Sequence, residues 1–153
     1  MARLDDMAPS QRVTIEALEC PEFKDTTLAG KRPLAECRVA LISSAGLMRR
    51  GEDNVAGGTS EYRTFEKSCP DRDILINHVS VNFDRTAFAE DVNTVFPREV
   101  LKSLEEDGSI GHAAKKHYSL LGSTAPENFQ ATAERLASEL KEADINTVCL
   151  LPV

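Results

Sequence analysis

Val39-Ala40-Leu41-Ile42, entered from Arg38 and closed by Ser43-Ser44-Ala45-Gly46, is the stretch on which the fold turns. A short unbroken apolar run between small residues is the pattern of a strand covered on both faces, whereas a half-solvated strand would alternate. Asp73 to Ser80 repeats that pattern with its polar residues, Asn77, His78 and Ser80, gathered at the carboxyl end. Ile145 to Leu151 repeats it again and runs on into Pro152-Val153. Weaker strands are read over Tyr62 to Phe65 and Lys116 to Leu121. Pro97 opens a helix from Arg98 to Asp107 that Gly108 stops, because proline at a first helical position loses no needed hydrogen bond. Thr86 to Phe96 reads as a short helix or turn. Pro126 opens the longest helix, with Phe129, Ala133, Leu136 and Leu140 forming an apolar face at three- and four-residue spacing. Strands alternating with helices predict an α/β domain over residues 37–153, a parallel-sheet three-layer arrangement of Rossmann-like or flavodoxin-like type. Residues 1–36, interrupted by Pro9, Pro21 and Pro33, read as an arm with a short helix around Arg12 to Leu18.

Composition narrows the function. The chain has 153 residues, enough for one core of ordinary size. Eighteen basic against 25 acidic residues give a net charge of −7, which disfavours duplex nucleic acid because phosphate binding needs a cationic face. No apolar run approaches the ~20 residues that cross a bilayer, and Asp5-Asp6 stands where a secretory signal would be apolar, so a cytoplasmic protein is expected. Cys20, Cys37, Cys69 and Cys149 are scattered without metal-type spacing, and Cys149, inside an apolar run, reads as a buried neutral thiol. Neither Gly57-Gly58 nor Ser43-Ser44-Ala45-Gly46 has the spacing of a nucleotide-binding loop.

Val39 to Gly46, His78 followed by Phe83-Asp84-Arg85, Asp91-Val92-Asn93-Thr94-Val95-Phe96-Pro97, Glu106-Asp107-Gly108-Ser109-Ile110-Gly111 and His117-Tyr118-Ser119-Leu120-Leu121-Gly122 stand in this order along the chain. Together they resemble the selenoprotein B family of glycine, sarcosine, betaine and D-proline reductases, from about Cys37 to the last residue, with the amino-terminal arm outside. The resemblance implies reductive cleavage of a carbon–nitrogen bond in an amino acid or derivative. It places a selenocysteine or cysteine nucleophile just after the strand that here reads Leu150-Leu151-Pro152-Val153, with a further cysteine beyond it. A selenolate or thiolate at a strand end is a strong nucleophile, and a neighbouring thiol can relieve its oxidised state by exchange. It also implies a partner subunit, one that could carry a pyruvoyl carbonyl to capture the substrate amine, with no cofactor on this chain.

On this reading the domain is incomplete at its carboxyl end, and the expectation is a UGA codon after Val153, read as a stop. Such a chain would be catalytically incompetent and, with an uncovered last strand, marginal or homo-oligomeric. Two other readings stay open: a non-catalytic ligand-binding or interaction protein on the same fold, and a thiol-dependent redox protein.

Ligands of open α/β sheets bind at the carboxyl ends of the strands, so Ser43, His78 and Val153 are expected together there, with Asp91, Asn93 and His117 on the surrounding loops. The family comparison places His78 where it could shuttle a proton to the departing amine; the alternative is a hydrogen-bonded histidine at a strand end. His117 and Tyr118 either hold a substrate carboxylate, donate a proton or stack in the core. Asp84, Asp91 and Asn93 offer acceptors for an ammonium or amide group, though Asp84 and Asp91 also stand where turns begin and would serve as caps. Arg85 suits either a carboxylate or a surface ion pair. His112 is expected to be exposed.

Overall fold

A computed structural model describes residues 4–19, 29–79 and 85–153. It divides into two compact units, Met1–Gly30 and Lys31–Val153. In the first, helix α1 spans Pro9–Glu16, with proline in its first turn and every residue exposed. Arg12 pairs there with both Asp5 and Glu16. Such exposed pairs add little stability.

The second unit is built on strand β1, Arg38–Ser43. Strand β7, Thr147–Leu151, lies parallel to it from Val39 to Ser43. On its other side β1 meets first β5, His112–Ala113, and then β6, Lys116–Ser119, both parallel. β3, Arg63–Glu66, completes the sheet antiparallel to β6. Its phase of two divides the core. Val39 and Leu41 pack on one face with Phe65, Val95, Phe96 and Leu101. Ala40 packs on the other with Tyr118, Leu136 and Leu140. Helix α2 spans Thr86–Glu90; helix α3, Arg98–Glu106, supplies Leu101 to the first face, and α4, Gln130–Glu142, supplies Leu136 and Leu140 to the second. The sheet is therefore mostly parallel with a helix on each face. No helix among the described residues is long and apolar enough to cross a membrane.

Three expectations change. The run from Asp73 onward does not enter the main sheet: β4, Ile74–Ile76, pairs antiparallel with β2, Leu47–Arg49, as a separate ribbon. The cause lies at Gly46, whose φ of +64° turns the chain directly after β1 and whose carbonyl accepts the N–H of Asn77 at 2.8 Å. Second, α4 buries Thr132, Leu136 and Leu140 while Ala133 is exposed. Thr132, Leu136 and Leu140 follow one another at four-residue spacing along a single row, and Ala133 stands about 100° round the helix from Thr132. Third, β7 is not a buried strand. Leu150 is 70% exposed and Cys149 is exposed, because among the described residues no strand pairs with β7's outer edge.

Gly46 also sits against its neighbours: a Cβ there would stand 2.9 Å from Leu121 Cδ1 and 3.3 Å from the Cα of His78. Gly46→Ala is expected to cost about 2 kcal/mol, combining the left-handed backbone penalty with the displaced Leu121. Urea unfolding would measure it, and a loss below about 0.5 kcal/mol would contradict the crowding.

Candidate active site at the carboxyl end of β1

Ser43 ends β1 fully buried, its Oγ donating to the carbonyl of Val95 at 2.8 Å and accepting the N–H of Ala45 at 3.2 Å. The first bond draws the turn over Val92–Thr94 and the chain behind it to this end of the sheet. Ser44, one residue on, bonds Val153 through its hydroxyl. His78, buried at 8% exposure, has its backbone against Gly46. Ser43, His78 and Val153 are thus gathered around the Ser43–Gly46 turn. His78 arrives by way of the β2–β4 ribbon rather than on a neighbouring strand of the sheet.

The electrostatics of His78 favour its neutral form. Burial, and then the positive charge of Arg85, lower its pKa from the usual 6.5. Arg85 is held in place by donating to the carbonyl of His78 at 2.8 Å. A neutral imidazole at pH 7 is suited to accept a proton first and pass it on. Asp84 lies outside the described residues.

Asp91 and Asn93 reach this end, but their side chains are engaged locally. Asp91 accepts the backbone N–H of Asn93 at 2.8 Å and its side-chain amide at 2.9 Å. These bonds lower the Asp91 pKa. Asn93 Oδ1 in turn accepts the N–H of Glu99 in the first turn of α3, at 3.1 Å. This is capping, the alternative that the sequence left open, because a helix start presents N–H groups without intrahelical partners.

His117 and Tyr118 do not act as a pair, since adjacent residues of a strand face opposite sides. His117 is on β6, not on a loop, and only 1% exposed. Its Nδ1 accepts the N–H of Leu41 at 3.2 Å, in the interval where β5 has ended and β6 has begun. Burial, with Arg98 and Lys67, lowers its pKa to about 4. Tyr118 is on the α4 face, edge-to-face with Tyr62 at 5.5 Å. Burial, with Glu139 the first of the charges that add to it, raises its pKa to about 12. It borders an open groove of about 800 Å³ with Thr64, Glu66, Lys116 and Glu139. That groove is on the side of the sheet opposite to Ser43. His112 is exposed and bonds Glu105 at 2.5 Å.

Two contributors were not singled out in the sequence. Ser119, buried at the end of β6, accepts the N–H of Leu47 at 2.9 Å and so braces the turn after β1. Ser44 stands within the Ser43–Gly46 motif, and its signal in the sequence is a second serine directly after the strand.

The sequence profile of the glycine/sarcosine/betaine reductase selenoprotein B family matches residues 15–152. The chain belongs to this family. The match begins well before Cys37, so the selenoprotein B likeness takes in much of the segment that the motifs had left outside. Among its relatives, glycine reductase complex component B subunit gamma of Symbiobacterium thermophilum is 27% identical over 124 residues, covering 78% of this chain and 29% of the relative. D-proline reductase subunit gamma of Acetoanaerobium sticklandii is 24% identical over 123 residues, covering 78% of this chain and 50% of the relative. The chain thus spans half or less of the length of these curated relatives. No solved structure matches it.

Proposed function

We propose that this chain is part of a reductase subunit that cleaves a carbon–nitrogen bond of glycine, sarcosine, betaine, D-proline or a similar amine, with its reaction centre at the carboxyl ends of β1 and β7. The observation that carries the location is the gathering of Ser43, His78 and Val153 around the turn after β1, at the sheet end where α/β folds bind ligands. The names of the two relatives, one a subunit of a glycine reductase complex and the other of a D-proline reductase, support the reaction class.

For an ammonium substrate the net step exchanges a C–N bond for a C–H bond. The amine leaves as ammonium, and a dithiol that gives two electrons and two protons becomes a disulfide. In this reading a selenolate or thiolate beside the end of β7 attacks, and His78, neutral at pH 7, takes the proton of the thiol or selenol and delivers it to the departing amine. Capture of a primary or secondary amine substrate is assigned to a pyruvoyl carbonyl on a partner subunit, not to any side chain here; betaine, a quaternary ammonium, cannot be captured that way. The setting is cytoplasmic. His117 has no part in the chemistry, because its ring is buried and its acceptor nitrogen occupied. A Rossmann-like or flavodoxin-like three-layer arrangement of the sheet and its helices belongs to the same proposal.

The test is to recover the tagged protein from its own cells with its associated subunits and to follow dithiol oxidation with glycine, sarcosine, betaine and D-proline in turn. Amine-dependent oxidation by one of them is expected. His78→Gln should then lower turnover by about a hundredfold, the usual size of a lost acid–base group, at unchanged melting temperature. Dithiol oxidation indifferent to every amine would reject the reductase reading in favour of a binding role. Turnover within twofold of wild type in the variant would remove His78 from the mechanism.

A further inference from the structure

The pairing of β1 with β7 ends at Ser43 opposite Leu151, and the N–H of Ser44 adds one more main-chain bond to the Leu151 carbonyl, at 3.0 Å. In a parallel ladder the next bond would run from the Val153 N–H to the Ser44 carbonyl, but that carbonyl accepts the Gly122 N–H instead. The side chain of Ser44 takes over: its Oγ accepts the N–H of Val153 at 2.8 Å and lies 3.4 Å from the Val153 carbonyl oxygen, to which it donates. A hydroxyl is one of the few groups that can do both.

Ser44 is held from the opposite side by Gly122. The Ser44 carbonyl accepts the Gly122 N–H at 3.0 Å. A Cβ on residue 122 would stand 2.9 Å from the Cβ and carbonyl oxygen of Ser44 and 3.0 Å from its Oγ. The two shorter distances are below what real Cβ atoms show, so any side chain at 122 would displace Ser44 from the position in which it bonds Val153. The backbone of the 120–122 turn and the chain past β7 therefore grip one serine between them.

We propose that Ser44, backed by Gly122, is a positioning residue that fixes where the main chain stands as it leaves β7. The purpose assigned to this grip rests on the reductase reading above, which puts the reaction centre beside that point. The grip itself rests only on the geometry. A nucleophile next to Val153 depends on its backbone for its approach to substrate, and small displacements of a reacting group are costly in rate.

Amide hydrogen exchange by NMR on the full chain tests the grip. In Ser44→Ala the Val153 amide should exchange about fivefold faster, as for one lost hydrogen bond, while the Leu41 amide in the core is unchanged. Gly122→Ala should act in the same direction without removing the hydroxyl. Unchanged Val153 exchange in both variants, or equal acceleration at Val153 and Leu41, would overturn the proposal, the latter because it marks general loosening. In the dithiol assay on the recovered complex, Ser44→Ala should lower kcat about tenfold at unchanged KM; a rise in KM alone would also overturn it. Absence of amine-dependent turnover in the wild-type complex would reject the reductase reading, and the exchange result would still decide the grip.

Discussion

Phe96→Ala is expected to destabilise the protein by about 3–5 kcal/mol, the largest effect of any single substitution considered for this chain. Phe96 is fully buried and lies where several parts of the first core face converge. Its ring meets Phe65 of β3 edge-to-face at 5.3 Å and His117 of β6 at 6.1 Å, and the guanidinium of Arg98 lies 5.7 Å from its centroid. Truncation removes these contacts and leaves a cavity between the sheet and the start of α3, which close-packed neighbours fill only in part. Domains of this size have ~5–15 kcal/mol of net stability, so the variant should be near the edge of folding. Urea unfolding would show the loss, with Phe96→Leu intermediate. A loss below about 1 kcal/mol would mean that the ring is not packed as described.

The second large effect is acid sensitivity set by His117. Its pKa is about 4 in the folded chain against 6.5 ordinarily, and in the unfolded chain it returns toward the ordinary value. A group depressed on folding contributes stability that is full above the unfolded pKa and is lost as pH falls toward the folded one, because only the unfolded chain binds the proton in between. Stability should therefore be flat above pH ~7 and fall by on the order of 3 kcal/mol between pH 6.5 and 4. Protonation would also cost Nδ1 its role as acceptor for Leu41. His117→Gln, which does not titrate, should remove most of this slope and leave the smaller part that comes from His78, whose pKa is also lowered by burial and Arg85. Carboxylates with lowered pKa values, Glu52 and Glu105 among them, act in a lower window and should still titrate in the variant. An unchanged slope between pH 6.5 and 4 in His117→Gln would count against the assignment. His117→Leu serves as a contrast, since a buried Leu41 N–H left without its acceptor should cost about 1–3 kcal/mol at any pH.

These two residues show how differently parts of the chain could be read. β1 was legible from Val39 to Ile42 because continuous apolarity reports burial on both faces without reference to any partner. α3 was legible because Pro97 and Gly108 punctuate it locally. The family was legible because its motifs are contiguous short stretches in fixed order. That Ser43, His78 and Val153 lie near one another was expected from the carboxyl-end rule, but His78 comes there from the β2–β4 ribbon and not on an adjacent strand of the sheet.

What only the tertiary structure decided concerns partners. That β4 pairs with β2 as a ribbon, and that β3 runs antiparallel, depend on long-range hydrogen bonds that leave no trace in the local pattern. The exposure of β7 has the same origin, because an apolar strand reads as buried whether or not anything covers it. His117 and Tyr118, adjacent in sequence, acquired opposite surroundings from the two faces of one sheet. The commitment of His117 to Leu41 could not be foreseen, since the break between β5 and β6 that calls for a side-chain acceptor exists only once both strands lie against β1. Local chemistry thus determined which segments form elements and what groups they carry, while the direction, cover and hydrogen-bond partners of those groups were set by the packing of distant segments.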